Sequence, residues 1–141
     1  MSLRAGDIVE IETPQGWLQG LVMAQEAGYP PTIGVAMVLH DAPLSAPAAP
    51  LDPTALQVVL MPLDRAQLAG HLRVLGAQHP PPPPGFRVPV RDRAGAEIYD
   101  WIWQAGRLRL RRPEDGDDLP LREIRALDDL VEDLAGRAKR R

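Results

Sequence analysis

Apolar and charged positions alternate from Val9 to Glu12, and a second apolar run, Trp17 to Met23, follows across Pro14-Gln15-Gly16. A period of two on either side of a link carrying proline and glycine marks a half-buried antiparallel pair, so residues 6–23 predict two strands and a tight turn. Ile33 to Leu39 is almost continuously apolar, which predicts a central strand. Val58 to Met61 predicts a further short one. Between Asp64, a good N-cap, and Gly76, the leucines 68, 72 and 75 recur at helical spacing and predict a short helix whose apolar side covers one opening of the sheet.

The second half begins a new pattern. Phe86 to Arg91, Glu97 to Trp103 and Arg107 to Arg111 are separated by Asp92-Arg93-Ala94-Gly95 and Gln104-Ala105-Gly106, the spacing of a three-stranded meander. Leu108 and Leu110 alternate with Arg107, Arg109 and Arg111, which predicts one buried and one cationic face. Tyr99, Trp101 and Trp103 share one alternating face and are expected in the core, because a domain with so few aromatic residues needs them inside. Leu127, Leu130, Val131 and Leu134 then fall at i, i+3, i+4 and i+7, the stripe of an amphipathic helix. Its acidic residues come early and its basic residues late, as the helix dipole favours.

These elements predict a mainly β chain with two helices (α+β), built on a strongly bent antiparallel sheet of about five to seven strands in an SH3-like or partly open barrel. The 141 residues are read as a single domain, long enough to bury about 68–70% of the surface of the unfolded chain. The outlier in composition is proline, at 16 residues. Proline cannot donate to a sheet ladder, so it must collect in connections. Residues 41–57 accordingly read as a proline- and alanine-rich loop, and residues 79–85, with five consecutive prolines, as an extended polyproline connector.

Charge and residue type narrow the chemistry. The chain has no cysteine, which removes disulfides, thiolate metal ligands and a cysteine nucleophile. Its longest apolar run is too short to span a bilayer, and a cytoplasmic location is expected. With a net charge of −3, nucleic acid is not the expected partner, although Arg107 to Arg112 offer an alternative contact for phosphates. His40, His71 and His79 lack the spacing of a metal site, so no metal and no cofactor are expected. His40-Asp41 reads as a loop dipeptide, because neighbouring side chains on a strand point to opposite faces. Ser2 and Ser45 lie in no nucleophile elbow. The acidic run Glu114, Asp115, Asp117 and Asp118 lacks the alternating ligands of a calcium loop. Nothing points to an enzyme.

Three segments carry a resemblance. Gly6-Asp7-Ile8-Val9-Glu10-Ile11 with Gly16-Trp17-Leu18-Gln19-Gly20, the turn Trp101-Ile102-Trp103-Gln104-Ala105-Gly106, and Leu119-Pro120-Leu121-Arg122-Glu123-Ile124 resemble the bacterial immunity protein 26 family. That resemblance implies an intracellular antidote that binds and blocks a cognate toxin and catalyses nothing. Many toxins are cationic nucleases, so an acidic contact surface would suit such a partner. On this reading the partner-binding residues are Glu114, Asp115, Asp117 and Asp118 with Asp128, Asp129, Glu132 and Asp133. The Gly-Asp-Ile-Val opening is also similar to the small barrels of endoribonuclease toxins, with Tyr29-Pro30-Pro31-Thr32 in the place of their functional segment. That alternative requires cleavage of single-stranded RNA dependent on Thr32.

Overall fold

The computed structural model describes residues 3–24, 30–44, 50–62, 72–79, 85–104, 107–112 and 125–140. Their contacts divide into two compact units, Met1–Pro81 with Arg125–Arg141, and Pro82–Ile124. The division falls inside the proline run. No described helix is long and apolar enough to cross a membrane.

Among the described residues, the first unit is an open, mainly antiparallel sheet with one α-helix. Its strands are β1 (Asp7–Thr13), β2 (Gly16–Ala24), β3 (Thr32–His40), β4 (Gln57–Leu60) and β5 (Leu72–Ala77), in the order β4-β3-β2-β1-β5. The two N-terminal strands form as the alternation predicts, with Ile11 opposite Leu18 and Thr13 opposite Gly16. Thr13 shapes the reversal: its hydroxyl donates to the Gly16 carbonyl at 2.8 Å and accepts from the Gln15 and Gly16 N–H groups. Gly16 is required there, since its φ is +150° and a Cβ would lie 2.5 Å from the His40 carbonyl oxygen.

Pairing sets which side chains share a face. Val9, Ile11, Leu18, Val22, Ile33, Val35 and Val59 form one buried layer, and helix α1 (Leu127–Arg137) packs on it through Leu130, Leu134 and Ala135. The helical stripe read from the sequence is therefore the packed face. Past the helix, Lys139–Arg140 pairs in parallel with Val38 and Leu39 as a short β9, numbered after the second unit's strands, and Arg140 reaches Asp41 at 3.2 Å.

Leu72 and Leu75, expected on a helix, lie instead in β5, where Leu72 pairs with Ile11. Both are buried. A bulge at Leu75 shifts the register between Ile8 and Val9, so two leucines three apart are accommodated on a strand and mimic helical spacing. The remainder of the predicted helix lies outside the described residues. In the proline-rich loop, Pro53–Ala55 form a 3-10 turn capped by Asp52, and Leu51 exchanges two hydrogen bonds with the Gln78 side chain.

On the other face of β1, Glu10 is buried. Its carboxylate accepts from Arg73 Nη2 at 2.8 Å and from the Leu44 N–H at 2.6 Å, while the same arginine nitrogen donates to the Leu44 carbonyl at 2.7 Å. A buried charge needs such partners. The clasp fixes the chain leaving β3 to β1 and β5.

The second unit is the predicted meander: β6 (Phe86–Arg91), β7 (Glu97–Gln104) and β8 (Arg107–Arg111), antiparallel in that order. Its burial differs from the expectation. Tyr99 is 40% and Leu110 is 51% exposed, Trp101 is half-buried, and the Trp103 and Leu108 side chains lie outside the described residues. Among the described side chains of β7, Asp100 and Ile102 are buried, on the opposite face, while on β6 Phe86 and Val88, which pair with Trp103 and Trp101, are buried on the aromatic face. An extra residue, Ile98, bulges where the register steps from Val90–Tyr99 to Arg91–Glu97, and this brings Glu97 onto the face of Asp100. Side chains are thus buried on both faces of this sheet, and Tyr99 and Leu110 lie at exposed positions of one of them.

Candidate functional site

A groove of about 280 Å³ opens in the first unit where the end of β1, the first turn of α1 and the start of β5 meet. Its walls are apolar: Ile11, Pro14, Leu72, Leu127 and Val131. Its remaining lining residues are Gln15 and three carboxylates, Glu12, Asp128 and Glu132. Topology builds it. Glu12 leaves the buried layer one residue after Ile11, Leu72 is opposite Ile11 across the β1–β5 ladder, and residues 127, 128, 131 and 132 recur along one side of the helix.

Electrostatics separates these carboxylates from others nearby. Asp133, one position further along the helix, is held by Arg137 at 3.0 Å and Arg125 at 3.2 Å. Burial pushes its carboxyl up, but the hydrogen bonds and charge of the two arginines outweigh that and leave it below its ordinary value. Glu12, Asp128 and Glu132 are exposed, and among the described residues no cation pairs with them. Asp128 sits in the first turn, where it favours the helix dipole, and the N-terminus has no side-chain cap. Glu132 is a turn further along and gains little from the dipole, and at i, i+4 from Asp128 it is mildly repelled. Glu12 is not on the helix at all.

Of the eight acidic residues read from the sequence as a contact surface, Asp128 and Glu132 line the groove. Asp129 is exposed on the same helical turn but does not line it, and Asp133 is already neutralised. Glu114, Asp115, Asp117 and Asp118 lie outside the described residues, as does the Leu119 to Ile124 segment. Glu12 was missed. In sequence it is merely the outward member of an alternating pair, and only the packing of the helix against β1 brings it beside Asp128.

Other candidates resolve differently. His40 is half-buried at the end of β3, and the carboxylate of Asp41 is engaged by Arg140 rather than oriented on the imidazole. Thr32 is 2% exposed, within β3. Among the described residues no group of three or more histidines and carboxylates has the arrangement of a metal site.

Among the described residues of the second unit, Arg87, Glu97 and Asp100 form an ionisable cluster. Arg87 Nη1 lies 3.0 Å from Asp100 Oδ2 and 4.0 Å from Glu97 Oε1. Glu97 Oε1 and Asp100 Oδ1 are both buried without a donor. A hydrogen bond with Asp100 holds the Glu97 carboxyl above its ordinary value, reinforced by burial and by the Asp100 charge and opposed by Arg87 and Arg91. A proton shared between the two carboxyls would satisfy both orphaned oxygens.

Comparison with known proteins adds nothing to this geometry, for the chain matches no family description, no curated protein and no solved structure.

Proposed function

We propose that this chain is a non-catalytic cytoplasmic binding protein, of the immunity-protein kind, that captures a cationic protein toxin and blocks it. The observation that carries the reading is the groove, where three carboxylates, Glu12, Asp128 and Glu132, have no counter-charge among the described residues and lie beside an apolar floor. Exposed like charges without partners are mildly destabilising to the chain that bears them, and they become favourable when an opposite charge arrives. They also steer encounter with a basic partner. The first unit's bent sheet, read as an SH3-like or partly open barrel, serves as a rigid frame for β1 and the helix.

Growth rescue provides the test. The chain is produced together with the toxin encoded by the adjacent gene, and wild type is expected to restore growth. A variant combining Glu12→Lys, Asp128→Lys and Glu132→Lys, shown to be folded by circular dichroism, is expected to fail. Rescue by the charge-reversed variant overturns the reading. Specific cleavage of single-stranded RNA by the purified chain also overturns it, in favour of the endoribonuclease alternative.

A further inference from the structure

We infer that the groove receives one arginine side chain of the partner, its methylene stem lying on Ile11, Leu72, Leu127 and Val131 and its guanidinium among Glu12, Asp128 and Glu132. This deepens the function proposed above and rests on the groove being the surface that meets the partner. Size comes first. A volume of about 280 Å³ sits just below the roughly 300–1,000 Å³ typical of small-molecule and cofactor pockets, which suits a single large side chain inserted from a second protein.

Chemistry selects which side chain. An apolar or aromatic residue would fill the floor and leave three carboxylates facing it, whereas an acidic one would be repelled. A basic side chain has both parts in the right order, an apolar stem and a charged tip. Arginine fits better than lysine, because its guanidinium is weakly hydrated and spreads five donors in a plane, enough to reach carboxylates that come from a strand and from two successive helical turns. Asp133, which shares the helix but is occupied by Arg125 and Arg137, shows the same preference satisfied within the chain.

The occupant is tested with a matched pair of probes. Acetyl-Gly-Arg-Gly-amide and the same peptide with citrulline, a neutral isostere of arginine, are titrated into the full chain while methyl resonances are followed by NMR. The arginine peptide is expected to shift Leu72, Leu127 and Val131 and to bind about tenfold more tightly than the citrulline peptide, a difference that falls with added salt. The triple variant Glu12→Gln, Asp128→Asn, Glu132→Gln is expected to reduce the arginine peptide to the citrulline level and leave the citrulline peptide unchanged. Equal affinity of the two peptides for wild type, no binding of either, or shifts confined to other methyls would each overturn the inference. If charge reversal abolishes growth rescue but the peptides are not distinguished, the occupant is wrong and the binding function stands. If arginine enters the groove yet rescue survives charge reversal, the function is wrong and the site stands.

Discussion

Replacing Glu97 by glutamine should stabilise this protein at neutral pH. When both carboxyls are ionised, Glu97 Oε1 and Asp100 Oδ1 are buried acceptors that face no donor, and Arg87 reaches Asp100 through its other oxygen. An unsatisfied buried polar group costs about 1–3 kcal/mol, and the glutamine amide supplies the missing donor to Asp100. The substitution gives up a 4.0 Å contact between Arg87 and a carboxylate that is 26% exposed, worth about 0.2–1 kcal/mol. The net gain is about 1 kcal/mol. Its pH dependence has a definite sign. Because the folded chain holds the Glu97 carboxyl above its ordinary value, the stability linked to that proton is complete below the ordinary carboxylate range and is lost as pH rises through the raised value. Glutamine has no proton to lose, so the advantage of the variant should be absent in acid and grow toward neutrality. Urea unfolding of the full chain, followed by tryptophan fluorescence at a series of pH values, measures it. A glutamine variant less stable than wild type at neutral pH, or a gain independent of pH, refutes the shared proton.

Two further predictions concern the frame of the first unit. Arg73→Met should cost about 3 kcal/mol, since it leaves the Glu10 carboxylate, 4% exposed, with only the Leu44 N–H. Glu10→Gln should cost only about 1 kcal/mol, because Arg73 is 56% exposed and returns to water; the reverse order in urea unfolding would contradict the clasp. Gly16→Ala should destabilise by about 2 kcal/mol or more through its backbone angle and the His40 carbonyl. Gly95→Ala, at a φ of +86° with open space around it, should cost about 1 kcal/mol. Equal losses for the two alanines would show that the approach of β2 to His40 is not what requires glycine.

Much of the fold was legible because its strands and helix carry clean periods. Val9 and Ile11, then Ile33, Val35 and Leu39, and Leu130, Val131 and Leu134 of α1 are buried as their spacing predicts, whereas Glu10, a charged position of the first alternation, is buried with them. Reading failed where a bulge intervened. Leu72 and Leu75 have helical spacing but belong to a strand with one extra residue, and Ile98 turns Glu97 toward Asp100, a juxtaposition that strict alternation forbids. The exposed Tyr99 and Leu110 were misassigned for a related reason: alternation divides a strand into two faces without saying how far along each the cover extends, and Phe86 and Val88 on the same face are buried. The site was half legible. The clustering of Asp128 and Glu132 follows from helical spacing, whereas Glu12 joins them through a pairing more than a hundred residues apart in sequence, and Asp133 drops out because two arginines reach it.

The central claim, that an acid-rimmed groove on the first unit meets a basic partner, is tested most directly by hydrogen exchange of the full chain with and without the co-encoded toxin. Protection is expected at Glu12 to Gly16, at Leu72 to Val74 and along Leu127 to Asp133. Protection confined to the β6–β8 sheet, with those three segments unchanged, would contradict it.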